Sequence, residues 1–388
     1  MSAGVVRVAI AAGGAGWESQ AVAAVEARSD LRLVRRCVDV ADLLSCVSAE
    51  VGDAVMLSPS LPNLDLDVVD RIRQGGVRVV PVQEGVESKE NAVRLGLGEL
   101  WSVVNLDALA ADMVDHDAGS TPVTRSPGGR LIAVWGPTGA PGRSSVALSL
   151  ASALSARGTD TILVDADVEG GSQAQALGLL DDVSGLVAAV RSAHLGHSTS
   201  GASEHARQIA PHLRLLSGLP RADMADQVRS AGYAAVITSL LTAAEVVVVD
   251  CGFSVDTDRG GRGQIAVDTL LRADDIVVVG RVDPLGLTRL VRALHDLATV
   301  VPGRSPQVVI NHSRRSLGWS RQEIDSMVQR LTGIAPHAHL PWDQSAWDAA
   351  VIAGRTPREV APSSPFVARI EAVAATLTPV RGSGQQPV

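Results

Sequence analysis

Through the first hundred or so positions, short apolar runs alternate with stretches of helical period. The runs at 6–11, 31–37, 54–57 and 77–82, and a short one at 100–104, predict strands. Between them, 18–27, 40–47, 66–74 and 89–95 place apolar residues at the i, i+3 and i+4 spacing of a one-sided helix. Parallel neighbours need a crossover, so strand–helix alternation predicts a parallel sheet covered on both faces. The rhythm stops at 116–129, a stretch rich in Ser, Thr, Pro and Gly, and then restarts. Val/Ile/Leu runs at 131–135, 161–164, 213–216, 246–249, 276–279 and 308–310, with a short one at 338–340, predict a second sheet buried on both faces. Residues 1–113 and 130–380 are thus expected to form two α/β domains joined by a linker at 114–129, with 381–388 a disordered tail.

Composition narrows the class. A chain of 388 residues, 46% hydrophobic and with a net charge of −8, is too apolar to be disordered and long enough for two cores. The acidic balance weighs against nucleic acid as the main partner, although it leaves room for a local basic patch. Aromatics at 2% leave little for stacking bases. Cys37, Cys46 and Cys251 sit in apolar surroundings and read as reduced core thiols. The first ten residues lack the charged region of a signal peptide, and no apolar run reaches the ~18 residues of a membrane span. A cytoplasmic protein is expected, with membrane contact or recruitment to a pole or septum borrowed from partners.

The informative chemistry begins at 131–135. That predicted strand runs into Gly136-Pro-Thr-Gly-Ala-Pro-Gly-Arg-Ser-Ser145 and then an amphipathic helix. A glycine-rich turn feeding a helix N-terminus presents converging backbone N–H groups and the positive end of a helix dipole, which suits a phosphate. Ser144 stands where a hydroxyl would meet Mg²⁺. The usual Gly-Lys-Ser/Thr ending is altered, because Arg143 replaces the lysine and Lys89 is the chain's sole lysine. Arginine keeps the charge on a broader fork. Asp165, Asp167 and Asp250 each stand at the carboxyl end of a predicted strand, the edge where open α/β sheets bind ligands.

In the first domain, the five-fold rhythm fits a flavodoxin-like receiver. The positions where a receiver holds its metal, its phosphate and its lysine carry Ala11 and Ala12, Ser58, and Trp101 and Ser102. Without carboxylates no acyl-phosphate can form, so a docking or dimerisation module is expected. A Rossmann-like module without receiver ancestry is the plain alternative. Gly13-Gly-Ala-Gly16 lacks the full dinucleotide spacing.

The order of the glycine loop, Asp165-Ala-Asp167, the Val-rich strand ending in Asp250 and Ala273-Asp-Asp-Ile-Val-Val-Val279 resembles the MinD/ParA ATPases with deviant Walker A loops. In that family the loop reads Lys-Gly-Gly-x-Gly-Lys-Ser/Thr. Here Thr138 stands at the signature lysine and Arg143 at the second. With the receiver-like first domain, Leu340-Pro-Trp-Asp343 and Ala353-Gly-Arg355 are similar to the CpaE/TadZ branch. That branch localises pilus assembly and includes actinobacterial septum-site-determining proteins. The resemblance implies an α/β chain: a flavodoxin-like pseudo-receiver followed by a doubly wound, mostly parallel-sheet P-loop NTPase domain.

The resemblance also implies ATP or ADP with Mg²⁺. Gly136, Thr138, Gly139, Ala140, Pro141, Gly142, Arg143, Ser144 and Ser145 would surround the phosphates, and Asn311 would read adenine. Ser144, Asp165 and Asp250 would serve Mg²⁺. Asp167 would position the attacking water, beside Arg143. A homodimer closing face to face over the nucleotide, with pilus-assembly or septum proteins as partners, completes the expectation. The missing lysines imply weak or absent hydrolysis. Two rival readings stand beside it: a ParA-like partitioning ATPase on DNA, and a non-hydrolysing scaffold.

Other features carry less. His194 with His197, and His337 with His339, lack the acidic or cysteine company of a metal site and read as surface or structural residues. Arg314, Arg315 and Arg321 read as a solvated basic face. The helical segment 366–377 lacks the basic flank of a membrane-targeting helix. Residues 260–263 suit a mobile switch or a plain surface loop.

Overall fold

The computed structural model describes residues 5–83, 85–97, 100–102, 128–139, 141–179, 183–194, 201–257 and 263–377. Ala140, most of the expected linker (114–127), His197, most of the expected switch (260–262) and the tail 381–388 lie outside them. The chain divides into two compact units, each with its own sheet.

In the first unit, β1 (Val6–Ala11), β2 (Leu31–Arg36), β3 (Ala54–Leu57), β4 (Arg78–Gln83) and β5 (Trp101–Ser102) lie in the order β2-β1-β3-β4-β5. Every pairing is parallel, and the order is the flavodoxin-like one. Helix α1 (Glu18–Glu26) packs Ala21, Ala24 and Val25 on one face of the sheet beside Trp17. Helices α2 (Val40–Ser48), α3 (Leu66–Gln74) and α4 (Val86–Arg94) cover the other with Cys46, Val47, Val69, Ile72 and Ala92. Asp39 and Asp65 start α2 and α3 by accepting from the N–H groups of Asp42 and Val68. At the carboxyl edge, Ala11 pairs opposite Leu57, and the Ser58 N–H donates to the Ala11 carbonyl at 3.0 Å. Ala11, Ala12 and Ser58 therefore stand together at this edge, with no acid among the three.

The second unit holds β6 (Arg130–Trp135), β7 (Thr161–Ala166), β8 (Arg207–Ala210), β9 (Leu213–Leu216), β10 (Val246–Cys251), β11 (Asp275–Arg281), β12 (Gln307–Ser313) and β13 (Pro336–Pro341). Their order is β13-β12-β11-β6-β10-β7-β9-β8, parallel throughout except for β8, which runs antiparallel to β9. Helix α5 (Arg143–Ala156) links β6 to β7 and is buried from Val146 to Ser155. Burying Leu150 and Leu154, both fully enclosed, contributes about 1.5–3 kcal/mol apiece. The far side of α5 is covered by helix Pro365–Leu377, whose Phe366, Val367, Ile370, Val373, Ala374 and Leu377 join the same core. The apolar face of that segment thus belongs to the interior. Among the described residues, no helix is long and apolar enough to cross a membrane.

Cys37, Cys46 and Cys251 are buried and unpaired, as their apolar surroundings suggested. His339 is buried and lies 2.7 Å from an oxygen of Asp325, which makes it a structural residue.

Candidate phosphate-loop site

Central strand β6 delivers the glycine loop to the carboxyl edge of the sheet. A side chain on Gly136 would strike the carbonyl of Val279 in β11, so the loop leaves the strand in close backbone contact with its neighbour. Gly139 and Gly142 take left-handed φ values of 101° and 84°, where a Cβ is disfavoured. Gly142 is the N-cap of α5, and no side chain caps that end. The first N–H groups of α5 therefore have neither an intrahelical nor a capping acceptor, the ordinary condition of an anion-binding helix start.

Beside the loop opens a cleft of about 470 Å³. Its walls include Pro141 to Ser145, Asp167, Asn311, His312, Trp342 and Trp347. The volume falls in the ~300–1,000 Å³ span of small-molecule sites.

The charged groups of the loop are largely engaged with one another. Arg143 turns back, donating to the carbonyls of Gly136 (3.2 Å) and Pro137 (3.1 Å) and to Asp167 Oδ2 (3.2 Å). Its expected reach toward phosphates is replaced, in this conformation, by bonds to its own loop. The other oxygen of Asp167 accepts from the N–H groups of Glu169 and Gly170. Thr138 is exposed at the loop's tip. The guanidinium of Arg289, from helix Pro284–Val300, lies against Gly139, where it fills the space a Cβ would take.

The two deepest acids face each other, because the register of β10 on β7 sets Asp250 opposite Asp165. Both are essentially inaccessible to solvent, at 0% and 1% exposure. Burial raises both above the ordinary carboxylate range, and the charge of Asp250 raises Asp165 further. Gln173 joins them. Its backbone N–H donates to Asp165 Oδ2 (3.0 Å), while its Nε2 donates to Asp250 Oδ2 (2.8 Å) and to the Ser144 carbonyl (2.9 Å). One oxygen of each acid keeps no partner.

These positions bear on Mg²⁺. Ser144 lies near enough to Asp250 to offset part of the rise that burial causes there. Asp165, however, opens on a separate cavity of about 20 Å³ with Gly171 and Gly218. Oδ2 of Asp250 is taken by the Gln173 amide, a donor that does not coordinate a cation. The expected trio of Ser144, Asp165 and Asp250 therefore does not converge on an open position. Among the described residues no cluster of acids, histidines or cysteines could hold a metal.

At the far end of the cleft, Asn311 is buried and donates from Nδ2 to the Pro141 carbonyl at 2.8 Å. Expected to read a base, it here buttresses the loop from the end of β12. Next to it, His312 has φ of 58° and meets Trp342 edge-on, with ring centroids 4.3 Å apart at 77°. Trp342 is half exposed, and Asp343 caps the following helix through the Ala346 N–H. Sequence reasoning did not place His312, Trp342, Gln173 or Arg289 at the site. The Pro-Trp-Asp wording at 341–343 was the one signal available.

Burial, with Arg281 and Arg314 nearby outweighing Asp283, lowers His312 to about 4. Between about pH 6.5 and 4 the unfolded chain binds a proton that the folded one refuses, so stability falls as pH falls through that window. His312→Asn, which tolerates the left-handed backbone, should flatten the Tm–pH curve there. An unchanged slope would refute the assignment.

No protein-family model and no curated protein matches the sequence. Solved structures do. A ParA family ATPase from Chlorobium tepidum TLS aligns with TM-score 0.54 at 18% identity, over 63% of this chain and 98% of that one. The cell-division ATPase MinD of Pyrococcus furiosus aligns at 0.52 and 19% identity, over 64% and 98%. MinD of Pyrococcus horikoshii OT3, complexed with Mg-ADP, aligns at 0.51 and 19% identity, over 65% and 97%. Over the share aligned, this chain has the fold of the MinD and ParA ATPases. In that fold the glycine loop of this chain follows a central strand, with Asp165 and Asp250 on the two strands beyond it.

Proposed function

We propose that the protein is a nucleotide-dependent spatial regulator that binds ATP or ADP in the cleft beside Gly136–Ser145. The observation that carries this reading is the union of two complementary ends in one cavity. An uncapped helix start offers N–H donors for phosphates, and the Trp342–His312 edge offers an aromatic flank for a base. With Arg143 and Asp167 bonded to each other and to the loop, hydrolysis is weak or absent. Nucleotide acts by favouring one state of the chain over another, which requires differential affinity for the two.

In this reading the chain works as a homodimer of the CpaE/TadZ branch, positioning pilus-assembly or septum components. The first unit, with Ala11, Ala12 and Ser58 at its carboxyl edge, is a receiver-like docking module that takes no phosphoryl group. Another chain of similar fold, from Aquifex aeolicus, comes from a MinC:MinD cell division protein complex, at TM-score 0.51. A division-protein partner is in keeping with it.

Thermal melts with ATP, ADP and AMP test the proposal. A ligand at a hundred times its Kd stabilises the native state by about 2.7 kcal/mol, a shift of several degrees. ATP and ADP should raise Tm, and Trp342→Ala should abolish most of the rise. If no nucleotide moves Tm, the rival scaffold reading, which the Arg143 bonds to its own loop favour, takes its place.

A further inference from the structure

Gln173 has no counterpart among the motifs above, yet it bridges Asp165, Asp250 and the Ser144 carbonyl behind the loop. This inference rests on the nucleotide reading. We propose that the Gln173 side chain takes the place of a divalent metal, so that this chain binds nucleotide without needing Mg²⁺.

At a phosphate loop, the metal position is bounded by the first-turn hydroxyl of the helix and by the strand-end acid. In this chain those are Ser144 and Asp250. An acid that holds Mg²⁺ through water accepts hydrogen from that water. The Gln173 amide offers Asp250 the same kind of donor, at 2.8 Å, and directs its other N–H to the Ser144 carbonyl at 2.9 Å. Both N–H groups of the amide have an acceptor, and the residue is 1% exposed. It is also held from behind, because its own backbone N–H is bonded to Asp165. The amide is thus a fixed part of the interior.

An amide carries no net charge, so phosphate charge must be met elsewhere. The N-terminus of α5 supplies part of it. Arg289 supplies a full charge: its guanidinium lies over Gly139, and among the described residues it makes no hydrogen bond or ion pair. The arrangement exchanges a bound cation for a fixed amide donor on one side of the loop and an exposed guanidinium on the other. Gln173 is a positioning residue in this scheme, since it acts on nucleotide through Ser144 and Asp250.

Calorimetric titration of ATP into the full chain, once with excess Mg²⁺ and once with EDTA, tests the inference. Wild-type affinities should agree within about threefold. Gln173→Ser, which vacates the position and leaves a metal-compatible hydroxyl, should bind at least about tenfold more tightly with Mg²⁺ than with EDTA. A wild-type affinity that falls about tenfold in EDTA overturns the proposal whether or not the variant folds. So does a folded Gln173→Ser that stays indifferent to Mg²⁺. Failure of the wild type to bind ATP in either buffer overturns the nucleotide reading instead.

Discussion

Gly136→Ala should lower the melting temperature by about 6–12 °C. The new Cβ would meet the Val279 carbonyl, a backbone atom and not the end of a flexible side chain. Neither side can give way. β6 is hydrogen-bonded between β10 and β11, and β11 between β6 and β12, so a shift at Gly136 strains several ladders together. Overpacking a core costs about 1–3 kcal/mol when side chains can adjust, and the upper end or more is expected where they cannot. At about 2–4 °C per kcal/mol for a unit of this size, the shift lies well outside error. Gly85→Ala is the control. Its Cβ would meet open space on extended backbone, and the change should cost no more than about 1 kcal/mol, the loss of a glycine N-cap on α4. Equal melting curves for both variants would mean that the loop leaves β6 with room to spare.

Asp165→Asn should act in the opposite direction and raise Tm by about 5–10 °C in the absence of nucleotide. Most substitutions in a core destabilise. This one removes a carboxyl that burial and the facing Asp250 push up to about 8, so that folding near neutral pH must protonate it or bury its charge, and it has one unpartnered oxygen. Asparagine keeps a carbonyl for the Gln173 N–H and fills the same volume, so packing changes little. Relieving an unpaired buried carboxylate contributes about 2–4 kcal/mol. Differential scanning calorimetry decides it, and a lower Tm would show that the charge at Asp165 is stabilised by something other than its visible partners.

Much of this was legible in the chain. Fully buried parallel strands are near-continuous Val/Ile/Leu runs, and 213–216 and 54–57 were placed to the residue because turn residues bound them. Strands 246–249 and 276–279 came out short, because their ends carry Asp250, Cys251, Asp275 and Arg281, which pattern alone assigns to loops. β8 was missed altogether. Its Arg-Gln-Ile-Ala has no buried residue and is held in place by antiparallel pairing to β9, a partner that no local pattern reveals. At the site, the glycine loop and the three strand-end acids were visible because their chemistry is tied to position along one strand. Gln173 and Trp342 were not, because each reaches the site across the sheet's edge from a loop or short helix. The inward turn of Arg143 was equally hidden, since rotamers are chosen by neighbours such as Asp167 that folding supplies.

The cover over α5 has a consequence for biosynthesis. Ser152 on that helix donates to Thr356, 204 positions further along, and helix Pro365–Leu377 seals the same side. While the ribosome is still working toward Leu377, the helix behind the glycine loop has bare hydrocarbon where its last neighbour belongs. A nascent or prematurely released chain therefore has a loose loop and an adhesive flank. The support behind the glycine loop is therefore complete only once helix Pro365–Leu377 has been synthesised and docked.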